Sequence, residues 1–131
     1  MHGENYLEKI LVGFDGSENS KKALKEAIEI AKRFSAEITA VNVYNVPAGQ
    51  DLSQRILKKA EIMLEDGEVR FKIVSVLGSD TPKVITDMAR REKFDLIVVG
   101  HRGMSAVKSY LMGSVSKRIC SDSPVTILIV K

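Results

Sequence analysis

The apolar residues of this chain follow two patterns that alternate along its length. Short continuous apolar runs are typical of strands buried on both faces. Between them, apolar residues recur every three or four positions among charges, as in amphipathic helices. The predicted strands are KILVGF (9–14), EITAVNVY (37–44), RFKIVSVL (70–77), DLIVVG (95–100) and VTILIV (125–130). The pattern therefore predicts a β-strand at regular intervals, each separated from the next by one helix.

Four helices are predicted between these strands. The first carries an apolar stripe over 23–34, the second over 52–64, and the last is short, over 114–121. The third begins at Thr81 and Pro82, with the threonine hydroxyl as the expected N-cap and proline in the first turn. Alternation of strand and helix predicts one α/β domain over 1–131. Its expected fold is Rossmann-like: a doubly wound, open, parallel five-stranded sheet of order 3-2-1-4-5 with helices on both faces.

This strand order predicts where a ligand would bind. In an open parallel sheet, ligands bind beyond the carboxyl ends of the strands where the order reverses, here between strands 1 and 4. Strand 1 runs into Gly13, Phe14 and Asp15, and strand 4 ends in Val99 and Gly100. These two segments are rich in glycine and polar side chains, so we expect them to border the binding crevice.

Three glycines, one at the end of strand 4 and two after it, suggest a ligand that carries phosphate. Gly100 and Gly103 allow backbone amides to approach a ligand closely. Gly113 precedes the last helix, whose first amides have no partner within the helix and carry partial positive charge. Ser114 and Ser116 would add hydroxyl donors there. A P-loop (GxxxxGK followed by Ser or Thr) and a GxGxxG motif after the first strand are both absent from the sequence.

The spacing that is present is Gly-x2-Gly-x9-Gly-Ser, at 100–114. Together with the segments ILVGFDGS, ITAVNVY, DLIVVGHRG, LMGSVSKRI and SPVTILIV, it resembles the nucleotide-binding branch of the universal stress protein family over the whole chain. The resemblance implies the fold of adenine nucleotide alpha hydrolases and a site for ATP or another adenine nucleotide, with or without Mg²⁺. It also implies a homodimer formed through the last strand, 125–130.

The resemblance assigns expected roles to single residues. Asp15 would hold ribose or adenine, and Val43 would form a wall against adenine. The nucleoside side would be lined by Gly13, Phe14, Val99 and Gly100. The phosphate cradle would consist of Gly103, Gly113, Ser114, Val115 and Ser116. The chain departs from the family at His101, where members often have serine, and at Phe14, which is expected to alter how adenine fits.

Simpler interpretations of the same residues stay open. Asp15 is equally suited to be the N-cap of the first helix. For Ser116, the less favoured alternative is a side chain that faces solvent. For the edge strand, the alternative to a dimer is a monomer in which another segment covers it. A nucleotide-independent interaction module of the same fold is the alternative function. A phospho-acceptor domain is disfavoured, because Asp15 has no acidic neighbour after strand 1.

Composition limits the classes of function that are compatible with this sequence. A net charge of +3 with mixed signs lacks the basic stripe of a nucleic-acid-binding protein, and the longest apolar runs are too short to cross a membrane. A single cysteine and the lack of a secretory signal favour the cytoplasm. Because no base accompanies Asp15, no catalytic residue is expected and ATP hydrolysis should be slow at most. The predicted function is a cytoplasmic stress-response sensor or regulator.

Overall fold

The computed structural model describes residues 7–102 and 113–131 of the chain. Within these ranges, five parallel strands form one sheet in the order β3-β2-β1-β4-β5, which confirms the predicted fold class. The strands are β1 (Lys9–Gly13), β2 (Glu37–Tyr44), β3 (Phe71–Leu77), β4 (Leu96–Gly100) and β5 (Thr126–Val130). The helices are α1 (Glu18–Phe34), α2 (Gln50–Asp66), α3 (Thr81–Arg91) and α4 (Ser114–Asp122), with a 3₁₀ turn at Pro47–Gly49.

Some predicted ends of elements were wrong by a residue, for reasons that the hydrogen bonds explain. β1 ends at Gly13 and not at Phe14, because the Phe14 carbonyl accepts from the Asn42 side chain in place of a strand amide. The N-cap of α3 is Asp80 and not Thr81. The Asp80 carboxylate accepts from the Lys83 amide at 3.3 Å, and this places Thr81 inside the first turn.

The sheet separates two apolar cores, which explains why its central strands are continuously apolar. Alternate residues of a strand face opposite sides, so that Ile10 and Val12 of β1 pack under α1 and α2. Leu11 of the same strand packs under α3 and α4. Burial on both faces is the reason for the runs LIVVG in β4 and KILVG in β1.

The outer strands of the sheet are β3 and β5. Thr126 of β5 is exposed, and the four residues after it are half-buried. No helix of the described ranges is long and apolar enough to cross a membrane.

Candidate functional site

A cavity of about 460 Å³ opens at the carboxyl ends of β1, β2 and β4, beside the first turns of α3 and α4. It lies where the predicted crevice was expected. The predicted site residues that line it are Gly13, Phe14, Asp15, Val43, Val99, Gly100, Gly113, Ser114, Val115 and Ser116. The remaining predicted residue, Gly103, lies outside the described residues.

The inner part of the cavity is apolar. Val41 and Val43 lie on the same face of β2, and Val99 of β4 faces the same core. Ile85 of α3 and Ile119 of α4 close this part from the helix side. Sequence reasoning named Val43 and Val99 only. The two-residue period of β2 would also have indicated Val41, whereas the two isoleucines gave no signal beyond that of ordinary core residues.

Gly13 keeps the floor of the cavity open. A Cβ atom added there would lie 3.2 Å from Val99 Cγ1 and 3.3 Å from Ile85 Cδ1. Such contacts are tight, so a side chain at this position would displace its neighbours.

Asp15 follows β1 by two residues and is half-buried at the cavity. Its Oδ1 accepts from the Ser17 amide at 2.9 Å. The N-cap of α1 is Ser17, whose hydroxyl oxygen accepts from the Ser20 amide at 3.1 Å. The interpretation of Asp15 as the N-cap is therefore wrong, because the carboxylate orders the turn that precedes the cap.

Phe14 takes a different place from the one expected for a residue beside adenine. Its side chain is buried and packs in the core under α1 and α2. Val43 and Ile85 belong to the core on the other face of the sheet. Any influence of Phe14 on a ligand would therefore act through its main chain.

Gly100 is required by packing between elements. A Cβ atom at this position would lie 2.8 Å from the backbone carbon and oxygen of Asn19 in α1. The sequence interpretation, in which this glycine lets a ligand approach, did not include this packing contact. The close approach of α1 to the end of β4 explains the glycine.

Three helices of the described part of the chain begin at the cavity, and they differ in how their N-termini are capped. The side chains of Ser17 and Asp80 cap α1 and α3. α4 begins after Gly113 with no side-chain cap, and its first intrahelical bond runs from the Lys117 amide to the Gly113 carbonyl, 3.0 Å away. The amides of 114–116 consequently have no partner inside the helix, and they give this end of the cavity its capacity for an anion.

Ser116 departs from both interpretations of its side chain. It is buried, not solvent-facing, and its hydroxyl donates to the Gly100 carbonyl at 2.6 Å. The hydroxyl hydrogen is thus directed at the end of β4 and not at an anion. Two backbone bonds hold the same junction: Gly113 donates to the His101 carbonyl at 2.9 Å, and His101 donates to that of Val130 at 2.7 Å.

An ion pair joins the two helices that flank the cavity. The Arg118 guanidinium donates to both carboxylate oxygens of Asp80, at 2.9 and 3.1 Å. The hydrogen bond from Arg118, with that from the Lys83 amide, lowers the pKa of Asp80. The hydrogen bond to Asp80 in turn raises the pKa of Arg118. Sequence reasoning missed this contact, because nothing local links residues 38 positions apart.

No cluster of three or more histidine, cysteine, aspartate or glutamate side chains suited to a metal ion occurs in 7–102 and 113–131.

Comparison with known proteins decides the family. The model of the universal stress protein family matches residues 7–131. The chain belongs to the universal stress protein family.

Relatives and solved structures extend the similarity over nearly the whole chain. The universal stress protein MJ0531 of Methanocaldococcus jannaschii is 33% identical, over 99% of this chain and 85% of its own. The stress response protein NhaX of Bacillus subtilis is 28% identical, over 96% of this chain and 99% of its own. Among solved structures, the protein MJ0577 matches with a TM-score of 0.84 at 26% identity, over 96% of each chain. A universal stress protein in complex with cAMP matches with a TM-score of 0.80 at 28% identity, over 95% of this chain and 96% of its own.

Proposed function

We propose that this universal stress protein binds an adenine nucleotide, with ATP as the expected ligand, and acts as a cytoplasmic stress-response sensor or regulator. The observation that carries the proposal is the N-terminus of α4, which no side chain of the described residues caps, at one end of a cavity whose other part is apolar. A nucleotide has the same division, with phosphates at one end and an aromatic base at the other. The cAMP complex of the related universal stress protein supports the choice of an adenine nucleotide.

The nucleoside is proposed to occupy the apolar part of the cavity. Val43 and Val99 would contact the faces of the adenine ring, and the Asp15 carboxylate would accept a hydrogen bond from ribose or adenine. Gly13 would leave room for the ring between β1 and β4. The volume of about 460 Å³ falls within the range of small-molecule sites, about 300–1,000 Å³.

The phosphates are proposed to lie at the first turn of α4. The amides of Ser114, Val115 and Ser116 would donate to phosphate oxygens, and the exposed Ser114 hydroxyl would add another donor. Gly113 leaves the approach open, and Gly103 is the remaining proposed member of this cradle. Because Ser116 already donates its hydroxyl to Gly100, its contribution to the cradle would come from its amide.

We also propose that residues 1–131 form one domain that dimerises through 125–130. β5 is an edge strand, and its half-buried residues are isoleucine, leucine and valine. Unpaired amides and carbonyls on such an edge favour pairing with a second strand. Two copies of β5 related by a two-fold axis would satisfy these groups and cover the apolar side chains.

Two measurements test nucleotide binding. Because the chain has no tryptophan and three tyrosines, absorbance near 260 nm would reveal nucleotide that co-purifies, and chromatography after extraction would identify it. The melting temperature of stripped protein should rise with millimolar ATP, and by more than with the same concentration of inorganic tripolyphosphate, which lacks the nucleoside. An unchanged melting temperature with every adenine nucleotide would favour the nucleotide-independent interaction module instead.

A further inference from the structure

A chain of buried polar side chains crosses the core on the face of the sheet opposite α3 and α4. Asn42 of β2, Ser53 of α2 and Ser75 of β3 form this chain. Asn42 is 8% exposed and Ser53 1% exposed, whereas Ser75 is half-buried. Ser53 Oγ donates to Asn42 Oδ1 at 2.7 Å and lies 2.6 Å from Ser75 Oγ. Asn42 Nδ2 donates to the carbonyl of Phe14 at 2.9 Å.

The direction of these bonds follows from the hydrogens available. Ser53 has one hydroxyl hydrogen and gives it to Asn42, so that the Ser75 hydroxyl must be the donor in the contact between the two serines. Asn42 then accepts through its oxygen and donates through its nitrogen. The chain therefore runs in one direction, from Ser75 through Ser53 and Asn42 to Phe14.

Core packing alone does not require this chain. The neighbouring residues on the same face, including Ala40 and Leu57, are apolar, and replacing paired polar groups by apolar ones of the same shape is close to neutral. The chain ends on the carbonyl of Phe14, the first residue after β1. Its position indicates a role in holding the main chain where it leaves the sheet.

The Phe14 peptide groups are fixed from both sides. The Phe14 amide donates to the Val41 carbonyl at 2.9 Å, and the Phe14 carbonyl accepts from Asn42. Since a peptide bond is planar, and the described residues contain no cis bond, the orientation of the Phe14 carbonyl also sets that of the Asp15 amide. Asp15 is then held on its other side by the bond from the Ser17 amide.

We infer that Asn42 is a positioning residue for nucleoside recognition, supported by Ser53, and that it acts by fixing the peptide that precedes Asp15. This inference rests on the proposed function. It deepens that proposal, because it assigns to Asn42, which also borders the cavity, a role in affinity through its bond to the main chain before Asp15.

The test is a double-mutant cycle on AMP affinity, measured by calorimetry. Asn42→Leu should weaken AMP binding about tenfold, as expected for the loss of one well-placed hydrogen bond. In an Asp15→Ala background, the same substitution should change affinity by less than about twofold, because the residue it positions has been removed. Binding of inorganic tripolyphosphate should be the same with and without Asn42→Leu.

Controls separate positioning from general damage to the fold. Thr86→Val removes another buried hydroxyl, which bonds the Pro82 carbonyl of its own helix, and should leave AMP affinity unchanged. If Asn42→Leu does not fold, Ser53→Ala takes its place in the cycle, since it leaves the Asn42 oxygen without its donor.

The outcomes distinguish the two proposals. If the wild-type protein binds neither AMP nor ATP, the proposed function fails and this inference fails with it. If wild-type protein binds AMP but Asn42→Leu binds equally well, only the positioning role is overturned. The positioning role is also overturned if the changes in AMP binding free energy caused by Asn42→Leu and Asp15→Ala are additive in the double variant.

Discussion

Ser116 donates its hydroxyl hydrogen to the carbonyl oxygen of Gly100 at 2.6 Å, which joins the first turn of α4 to the last residue of β4. Both residues are buried. This bond helps to hold the N-terminus of α4 at the cavity, in addition to the main-chain bonds of Gly113 and His101.

Replacing Ser116 by alanine should therefore destabilise the protein. We expect the free energy of unfolding to fall by about 1–3 kcal/mol, the cost of leaving a buried carbonyl without its donor. Urea denaturation measures the change. Ser114→Ala, at an exposed position in the same turn, is the matched control and should stay within about 0.5 kcal/mol of wild type. Equal stability of the two variants would contradict the structural role of Ser116.

The pair of Asp80 and Arg118 should make stability depend on pH in the acidic range. The pKa of Asp80 is lowered from its ordinary value of 3.8, first by the Arg118 hydrogen bond and then by that of the Lys83 amide. A lowered carboxyl pKa stabilises the folded state above pH 3.8, and this contribution is lost as pH falls through the folded-state pKa. The melting temperature of wild type should therefore be higher than that of Arg118→Gln at pH 7. The difference between the two melting temperatures should become smaller below pH 3.8.

Asp80→Asn and Asp80→Ala separate the ion pair from the helix cap. Asparagine retains a side-chain oxygen that can cap α3, whereas alanine removes both the cap and the charge. At pH 7 the asparagine variant should therefore melt between wild type and the alanine variant. Identical melting of the asparagine and alanine variants would show that the cap contributes nothing.

Because β5 is an edge strand, we expect the protein to form a dimer whose population rises with protein concentration. Sedimentation of wild type at micromolar concentration should give twice the monomer mass, and Ile127→Lys should sediment as a monomer. Because Ile127 also packs on the α3 and α4 core, the melting curve of the Ile127→Lys variant must be measured as well, to show that the variant is folded. Ile62→Lys, at a position of α2 that is 64% exposed, is the matched control and should remain dimeric. A monomeric wild type would end the proposal of pairing through β5.

ATP turnover by the isolated protein should be slow. Phosphoryl transfer requires a group that orients or deprotonates the nucleophile, beside a positioned metal ion. No cluster suited to a metal ion is present in the described ranges. We expect steady-state phosphate release with Mg²⁺ far below the ~1–100 s⁻¹ that is typical of kinases. A rate inside that range would require a catalytic group that we have not identified.

The fold could be predicted from the sequence because its signals are local. Apolar runs marked the strands, helical periodicity marked the helices, and the order of elements limited the topology. The position of the cavity followed from that topology, since the segments after β1 and β4 carried the glycines and Asp15. Local chemistry also gave the start of α4 correctly, with Gly113 immediately before its first turn.

Contacts between residues far apart in the chain could not be predicted in this way. Nothing near Gly100 in the sequence indicates that α1 passes so close that a Cβ atom added to this glycine would lie 2.8 Å from the helix backbone. Likewise, the residues around Asn42 do not indicate its bond to Ser53 of α2, and those around Arg118 do not indicate its pairing with Asp80. The role of a serine such as Ser116, as donor to a ligand or to the main chain, is decided only by the packing around it.

Titration of ATP into wild type and Gly113→Val tests the central claim most directly. Gly113 has φ −65° and ψ 158°, a conformation open to any residue, so valine should fold there while its side chain blocks the approach to the α4 amides. Gly49→Val is the matched control: Gly49 precedes α2 at its N-terminus, outside the residues that line the cavity. We predict saturable ATP binding by wild type and Gly49→Val, and none by a folded Gly113→Val. Unchanged affinity in that variant, or no binding by wild type, would contradict the account.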